Sequence, residues 1–410
     1  MERVLDILLC LLALVGHAGA VIWLTCQIHA AALHHHMVRY LSGLLALAGI
    51  ALPVVVAVIV FPDGVQIVGR AGWSPWELVA LGYFGICCLI ALGPVLWWFT
   101  RGVSTQPPEA LHRSQAELID LAGRLNGRPV QGAYYKLLAQ LPFNQTFELE
   151  VSRKQLGLAN LTPGLQGLTI AHLSDLHLSG RLERPYFEEI VHHANELDAD
   201  LVAVTGDLVD KEPCIDWLPK TLGQLRAKHG VYFILGNHDL RVDTATVRRT
   251  LVDAGLIDIG GRWQIVSTGA DELLVAGNEL PWIRPAADLH DAPPPASAGG
   301  PLRLLLAHTP DQFNWARRLR FDLMLAGHNH GGQFQFPAVG PLLAPSRHGV
   351  KYASGTFYKP PTVMHVSRGI SALVPVRFNC RPEITLLELQ PAENGRPTTM
   401  PGERFHSQRA

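Results

Sequence analysis

LTIAHLSDLH, residues 168–177, is an apolar run that ends on two candidate metal ligands, Asp175 and His177. Four later runs end the same way. LVAVT (201–205) leads into Gly206 and Asp207, and VYFIL (231–235) into Gly236, Asn237, His238 and Asp239. LRLLLA (302–307) leads into His308, and FDLMLA (321–326) into Gly327, His328, Asn329 and His330. Short runs rich in Leu, Ile and Val, separated by helix-like stretches, read as buried parallel strands of an α/β sheet. Open α/β sheets bind ligands beyond the carboxyl ends of their strands. The polar residues at these five ends are therefore predicted to meet along one edge. A lone Gly-Asp is more often a turn, and a lone histidine after a strand is more often a core residue. Asp, His, Asp, Asn, His, His and His in order at five strand ends point instead to a metal centre that carries chemistry.

The flanking sequence extends this pattern. Arg184 to Leu197 has helical spacing at Phe187, Ile190, Val191 and Ala194, and a strand-helix-strand crossover makes its two strands parallel. Further helices are predicted over Asp216 to Lys228 and Ala245 to Ala254, with short antiparallel additions at Trp263 to Val266 and Leu273 to Ala276. Asp291 to Pro301 is a Pro/Ala/Gly surface loop. Upstream, Phe147, Leu149 and Val151 alternate with Glu148, Glu150 and Ser152, the pattern of a half-exposed first or edge strand. The catalytic domain is thus expected over 144–390, preceded by a connector, 101–143, that holds a helix-like stretch from Glu109 to Asn126. The tail, 391–410, has the composition of a disordered segment, and there is no internal repeat.

Apolar residues make up 48% of the chain against 17% charged, and the excess lies in the first hundred residues. Val4 to Cys26, Leu41 to Phe61 and Leu78 to Phe99 each approach the length of a membrane-crossing helix. Trp73, Trp76, Trp97 and Trp98 suit an interfacial aromatic belt. A signal-peptide reading of the first span is the weaker one, because two further spans follow it. The run His34-His35-His36, with His29, falls between spans as a polar membrane-proximal loop. A formal net charge of −1 gives no support to a nucleic-acid partner. Cys10, Cys26, Cys87 and Cys88 fall in the spans, and Cys214 and Cys380 lack zinc-site spacing, so core packing is expected of both.

Two divalent metals held close together can activate water and clamp the attacking and leaving oxygens of an in-line displacement at phosphorus. Carboxylate, imidazole and amide donors suit Mn, Fe or Zn better than Mg or Cu. The ordered set Asp-x-His, Gly-Asp, Gly-Asn-His-Asp, His and Gly-His-x-His resembles the calcineurin-like metallophosphoesterases. The opening Ser174-Asp175-Leu176-His177 and the stretch from Gly327 to Gln333 resemble their membrane-anchored bacterial branch, as do Ser367-Arg368-Gly369 and Pro382-Glu383-Ile384. The resemblance covers about Gly167 to Leu389. It implies a four-layer αββα sandwich of two mixed sheets. It also implies one metal on Asp175, His177, Asp207 and His330 and a second on Asp207, Asn237, His308 and His328, with Asp207 bridging. His238 would be the catalytic histidine, donating a proton to the leaving alkoxide or stabilising the charged transition state, with Asp239 either orienting its imidazole or capping a turn. His172 is expected to be structural.

The functional expectation is a membrane-anchored, dinuclear-metal phosphohydrolase of phosphoester or pyrophosphate bonds, integral to the bacterial inner membrane. A tether favours substrates at the same surface, which tilts the expectation toward a lipid-linked one. Lys and Arg near the span ends divide as Arg3 and Arg70 against Arg39, Arg101 and Arg113, which places the catalytic domain on the cytoplasmic side. Two alternatives stay open: a phosphodiesterase of soluble nucleotides, and an inactive metal-binding membrane scaffold.

Overall fold

The computed structural model describes residues 2–60, 67–68, 72–104, 108–269, 271–337 and 339–392. The chain divides into two compact units, Met1–Gln106 and Pro107–Ala410. In the first, α1 (Glu2–Ala30), α2 (His35–Val55) and α3 (Pro75–Ser104) provide three helical stretches long and apolar enough to cross a membrane. A few polar groups tie them together. The Gly49 carbonyl lies 2.8 Å from His17 Nε2 and so takes its proton, which leaves Nδ1 to accept from the Tyr83 hydroxyl at 2.8 Å. Gly16 packs against the Cys87 carbonyl, an approach of α1 to α3 that any side chain would block. His34 caps α2, so the histidine run forms a helix start. The side chains of Trp97 and Trp98 and the tail from 393 lie outside the described residues.

The second unit opens with a departure from the sequence reading. Leu111–Asp120, within the stretch expected to be helical, is strand β1, followed by a single helical turn, α4 (Leu121–Arg124). β1 pairs antiparallel with β2 (Glu148–Leu158), and this backbone pairing overrides the helical pattern of the side chains. β2 is consequently an interior strand rather than an edge. Between them lies α5 (Ala133–Ala139).

The first ligand strand, β3 (Thr169–Leu173), crosses through α6 (Arg184–Asn195) to β4 (Leu201–Thr205) and then reaches β5 (Val231–Ile234). The region expected as a helix over Asp216 to Lys228 forms two 3-10 segments, Glu212–Lys220 and Leu222–Gln224. Pro219, inside the expected helix, lacks the N–H group that an α-helix there needs. α7 (Thr244–Asp253) leads to β6 (Ile257–Asp258), and then β7 (Trp263–Ser267) pairs antiparallel with β8 (Glu272–Asn278). β9 (Leu302–Ala307), α8 (Phe313–Arg318) and β10 (Leu323–Ala326) follow. A small hairpin of β11 (Gln335–Phe336) and β12 (Gly340–Pro341) precedes β13 (Gly355–Lys359), β14 (Thr362–Val366) and β15 (Glu383–Pro391).

The strands form two mixed sheets, ordered β1-β2-β15-β3-β4-β5-β6 and β13-β14-β10-β9-β8-β7. Side chains that alternate along each strand explain the layering. Ile170, Ala203, Ile234, Leu304, Leu306 and Leu325 fill the space between the sheets. The opposite faces are covered too: Ala171 and Leu173 pack with Phe187, Ile190, Val247 and Leu251, and Leu305 and Ala307 with Phe313 and Ala316. Helices therefore flank a double sheet in the expected αββα order. Burial on both faces is why these strands are nearly continuous apolar runs. β3, β4 and β5 lie in the first sheet and β9 and β10 in the second, so the candidate site is assembled from both.

Candidate metal centre

Backbone conformation singles out these strand ends before any side chain does. Asp175, His177, Asp207, His328 and His330 have φ of 55°, 50°, 54°, 69° and 50°. Non-glycine residues seldom adopt this left-handed region, and such strain persists only where surroundings over-determine it. Here the surroundings are hydrogen bonds between the ligand loops. Asp175 N–H donates to the Gly206 carbonyl at 3.0 Å and His177 N–H to the Asp207 carbonyl at 2.9 Å. His328 N–H donates to the Asp175 carboxylate at 3.0 Å, and His238 N–H to Asp207 Oδ1 at 2.8 Å. Glycine is required where the loops cross: a Cβ on Gly236 would strike the Asp207 carboxylate, and one on Gly327 the Ser174 hydroxyl.

The seven candidate ligands converge around Asp207. Its Oδ2 lies 3.5 Å from His177 Nε2 and its Oδ1 3.3 Å from His308 Nε2. On the first side, His330 Nε2 is 3.1 Å from His177 Nε2 and 3.6 Å from Asp175 Oδ1. On the second, Asn237 Oδ1 is 3.2 Å from His308 Nε2. Ligand-type atoms of Asp175, His177 and His330 lie within 4.8 Å of one another, as do those of Asp207, His308 and His328. Asp207 thus presents one carboxylate oxygen to each group.

The residues fit divalent metal on a test of their own hydrogen bonding. Nδ1 of His177 lies 3.1 Å from Asp210 Oδ2, that of His308 2.7 Å from the Thr205 carbonyl, and that of His330 3.0 Å from the Ser371 carbonyl. Each acceptor keeps a proton on Nδ1 and turns a lone pair on Nε2 inward, the arrangement of metal-ligating histidines. His328 Nε2 is buried with no hydrogen-bond partner. The charges agree. Burial opposes charging of His177, but Asp210, Asp207 and Asp175 outweigh it and push its pKa up to about 9. His308 is pushed up to about 9 against burial in the same way, by Asp207 and Asp175. Burial, and the positive charge of His177 and His308 respectively, hold His330 and His328 well below the usual range. Burial opposes ionisation of Asp207, yet the neighbouring histidines keep it well below the usual carboxylate range. The carboxylates draw positive charge onto His177 and His308, and cations satisfy the same field.

His238 projects from this cluster with its side chain slightly open to solvent. Its Nδ1 meets Asp210 Oδ1 at 2.5 Å, and Arg241 Nη2 lies 3.2 Å from its Nε2. The carboxylate that orients His238 is therefore Asp210 and not Asp239. Asp239 accepts the backbone N–H groups of Leu208 and Val209, both at 2.9 Å, and of Gly236 at 2.8 Å, so it caps and joins two ligand loops. Asp210 escaped the sequence reading because an Asp three residues after Gly-Asp looks like any loop residue. One carboxylate serving both His177 and His238 is visible only in three dimensions. Trp282 is a second omission, its ring centroid 4.8 Å from that of His328 and 5.7 Å from that of His308. His172 is structural as expected, buried between His365 and Thr205 at 2.9 Å from each. Cys214 and Cys380 are buried and free. His34, His35 and His36 form a separate group in the first unit.

The sequence profile of the family described as calcineurin-like phosphoesterase matches residues 168–332. The Escherichia coli protein named phosphodiesterase YaeI is 31% identical over 225 residues, which span 54% of this chain and 81% of that protein. The chain belongs to the calcineurin-like phosphoesterase family. As a member it is a metal-dependent hydrolase, and the His/Asp groups around Asp207 are where its divalent metal would sit. A Bos taurus relative named transmembrane protein with metallophosphoesterase domain is 32% identical over 272 residues, 62% of this chain and 58% of that one. Among solved structures, an archaeal phosphodiesterase is similar to 54% of this chain and 93% of its own, at 13% identity and a TM-score of 0.30.

Proposed function

We propose that this calcineurin-like phosphoesterase is a dinuclear-metal phosphodiesterase anchored in the bacterial inner membrane, with its catalytic unit on the cytoplasmic side. The observation that carries the dinuclear reading is the Asp207 carboxylate, one oxygen facing His177 and the other His308. One metal would take Asp175, His177, Asp207 and His330, and the other Asp207, Asn237, His308 and His328. Two divalent ions held there would supply an activated water and neutralise charge on the phosphoryl oxygens. The chain's own residues do the rest. Asp210 holds the His238 Nδ1 proton, so Nε2, which accepts from Arg241 in the neutral ring that burial favours, would first take up a proton and then pass it to the departing alkoxide. Arg241, beside that Nε2, offers a guanidinium to the phosphoryl group. A phosphodiester is favoured over a monoester by the name of the E. coli relative.

Manganese, iron or zinc each suits this donor set. Chelation of the purified full-length protein is expected to abolish hydrolysis of a bis-aryl phosphate, and added manganese to restore it. Activity that survives exhaustive chelation, with metal content checked by elemental analysis, overturns the reading. Asp210→Asn is expected to cost about 10- to 100-fold in metal affinity or turnover, because it loosens both His177 and His238. Paired metal titrations and rate measurements on the variant check this.

For the substrate we favour a lipid-linked phosphodiester, since three candidate spans would hold the domain at a bilayer where effective concentration is high. The cytoplasmic placement rests on the positive-inside distribution of Arg3 and Arg70 against Arg39, Arg101 and Arg113. An alkaline phosphatase fused after Ala410, active only when exported, should stay inactive.

A further inference from the structure

Twelve large apolar side chains of the second unit are exposed among the described residues, and nine of them fall on two segments. Tyr134, Leu137, Leu141 and Phe143 lie on α5 and the turn after it, and Phe334, Phe336, Val339, Leu342 and Leu343 on and around the β11–β12 hairpin. Scattered apolar residues need no explanation on a protein surface, but a contiguous patch marks an interaction site. One loop joins the two segments here. Asn144 Nδ2 donates to the Pro375 carbonyl at 2.8 Å and the Arg377 N–H donates to Asn144 Oδ1 at 3.1 Å. On the other flank, Gln333 Nε2 donates to the Val376 carbonyl at 2.8 Å, and Gln335 N–H to the Phe378 carbonyl at 2.9 Å. The same loop begins at Ser371, whose carbonyl receives the His330 Nδ1 proton. The hairpin itself packs over Gly332, two residues beyond His330. The apolar patch is therefore a rim beside the candidate metal centre.

Two further properties specify its occupant. Phe143 is 79% exposed yet held at φ 62° by the fully bonded Asn144, a cost that core packing does not repay. The two segments themselves contain no acidic residue, although Arg124 pairs with Glu189 and the Arg347 N–H with Asp311 of neighbouring elements. No Asp or Glu occurs in 121–147, which carries Arg124, Arg128 and Lys136, or in 323–382, which carries the exposed Arg347 and Lys351. Arg128 and Lys136 line one concavity beside α5. Aromatic and aliphatic tips interleaved with basic side chains are the composition of an element that lies in the headgroup region of an anionic membrane. A membrane is within reach, because the same chain carries three helices able to span one.

We propose that this apolar and basic rim docks onto the surface of an anionic bilayer, so that the metal centre opens toward lipid headgroups. The docking stands on the rim itself. Its consequence, that the substrate is drawn from the bilayer, rests on the phosphoesterase reading above.

The test uses the full-length chain in phosphatidylglycerol-containing nanodiscs, with a photo-crosslinking benzoylphenylalanine at position 143 or 336 and, as control, at the exposed Val252 on α7. Lipid adducts are expected at 143 and 336 in excess over 252, and to weaken when phosphatidylcholine replaces phosphatidylglycerol. In parallel, the double variant Phe143→Ser, Phe336→Ser should lower the ratio of turnover on a bilayer-embedded ester to that on a water-soluble one by about tenfold. Equal adducts at all three positions, or adducts to another protein chain in place of lipid, overturn the docking. Rim adducts without hydrolysis of any ester uphold the docking and overturn the phosphoesterase reading. Hydrolysis of the soluble ester without rim adducts does the reverse.

Discussion

Asp207→Ala is expected to remove most of the bound metal and to lower turnover of a bis-aryl phosphate by at least about 10³-fold, since water without a metal has a pKa of about 15.7 rather than about 7. The residue sits where two groups meet. Its oxygens lie 3.5 Å from His177 Nε2 and 3.3 Å from His308 Nε2, and it also accepts the His238 backbone N–H at 2.8 Å. Loss of the carboxylate therefore weakens both proposed metals and leaves His308 without its nearest counter-charge. His330→Ala makes an informative comparison. His330 faces only Asp175 and His177, so its loss is expected to cost less metal. Elemental analysis of the two variants beside wild type reads the difference, with circular dichroism to confirm that each is folded. Equal metal in wild type and Asp207→Ala would sink the bridging assignment.

The second large effect separates proton transfer from metal binding. His238→Ala is expected to keep most of its metal while turnover of alkyl esters falls by about 10²- to 10⁴-fold, the scale of general acid catalysis. The His238 backbone N–H bonds Asp207, and its ring is bound to Asp210 and stands edge-on to the His177 ring, 4.5 Å between centroids, on the outer side of the centre. A nitrophenolate leaves with little need of a proton, so the defect should shrink on nitrophenyl esters. Rates on a matched pair of alkyl and nitrophenyl diesters decide the point. A His238→Ala enzyme at full activity on alkyl esters would falsify the role.

How much of this was legible in the chain depends on the range of the interaction involved. The five ligand strands were readable because burial on both faces makes each a short continuous apolar run, and a polar residue that ends such a run is conspicuous. Arg184 to Leu197 and Ala245 to Ala254 were readable for a similar reason: each has an apolar stripe facing a sheet. Leu111–Asp120 was not. It is mostly exposed, its side chains carry no strand alternation, and its conformation is set by hydrogen bonds to β2, whose paired residues run from Glu148 opposite Asp120 to Leu156 opposite Leu111. The segment after Glu212 failed for a local reason, a proline, Pro219, within an otherwise helical pattern.

The site divides along the same line. By itself the sequence determined which residue types stand at the strand ends, in what order, and that three apolar stretches precede them. Only the tertiary structure decided that β3 to β5 and β9 to β10 belong to different sheets whose ends meet around Asp207. It alone assigned the orienting carboxylate to Asp210 instead of Asp239, and tied the segments that carry Phe143 and Phe336 to one loop that begins at Ser371. The physical reason is that donor type and local periodicity are properties of neighbours in the chain. Which carboxylate reaches which imidazole depends on backbone turns held in strained conformations by hydrogen bonds between distant loops.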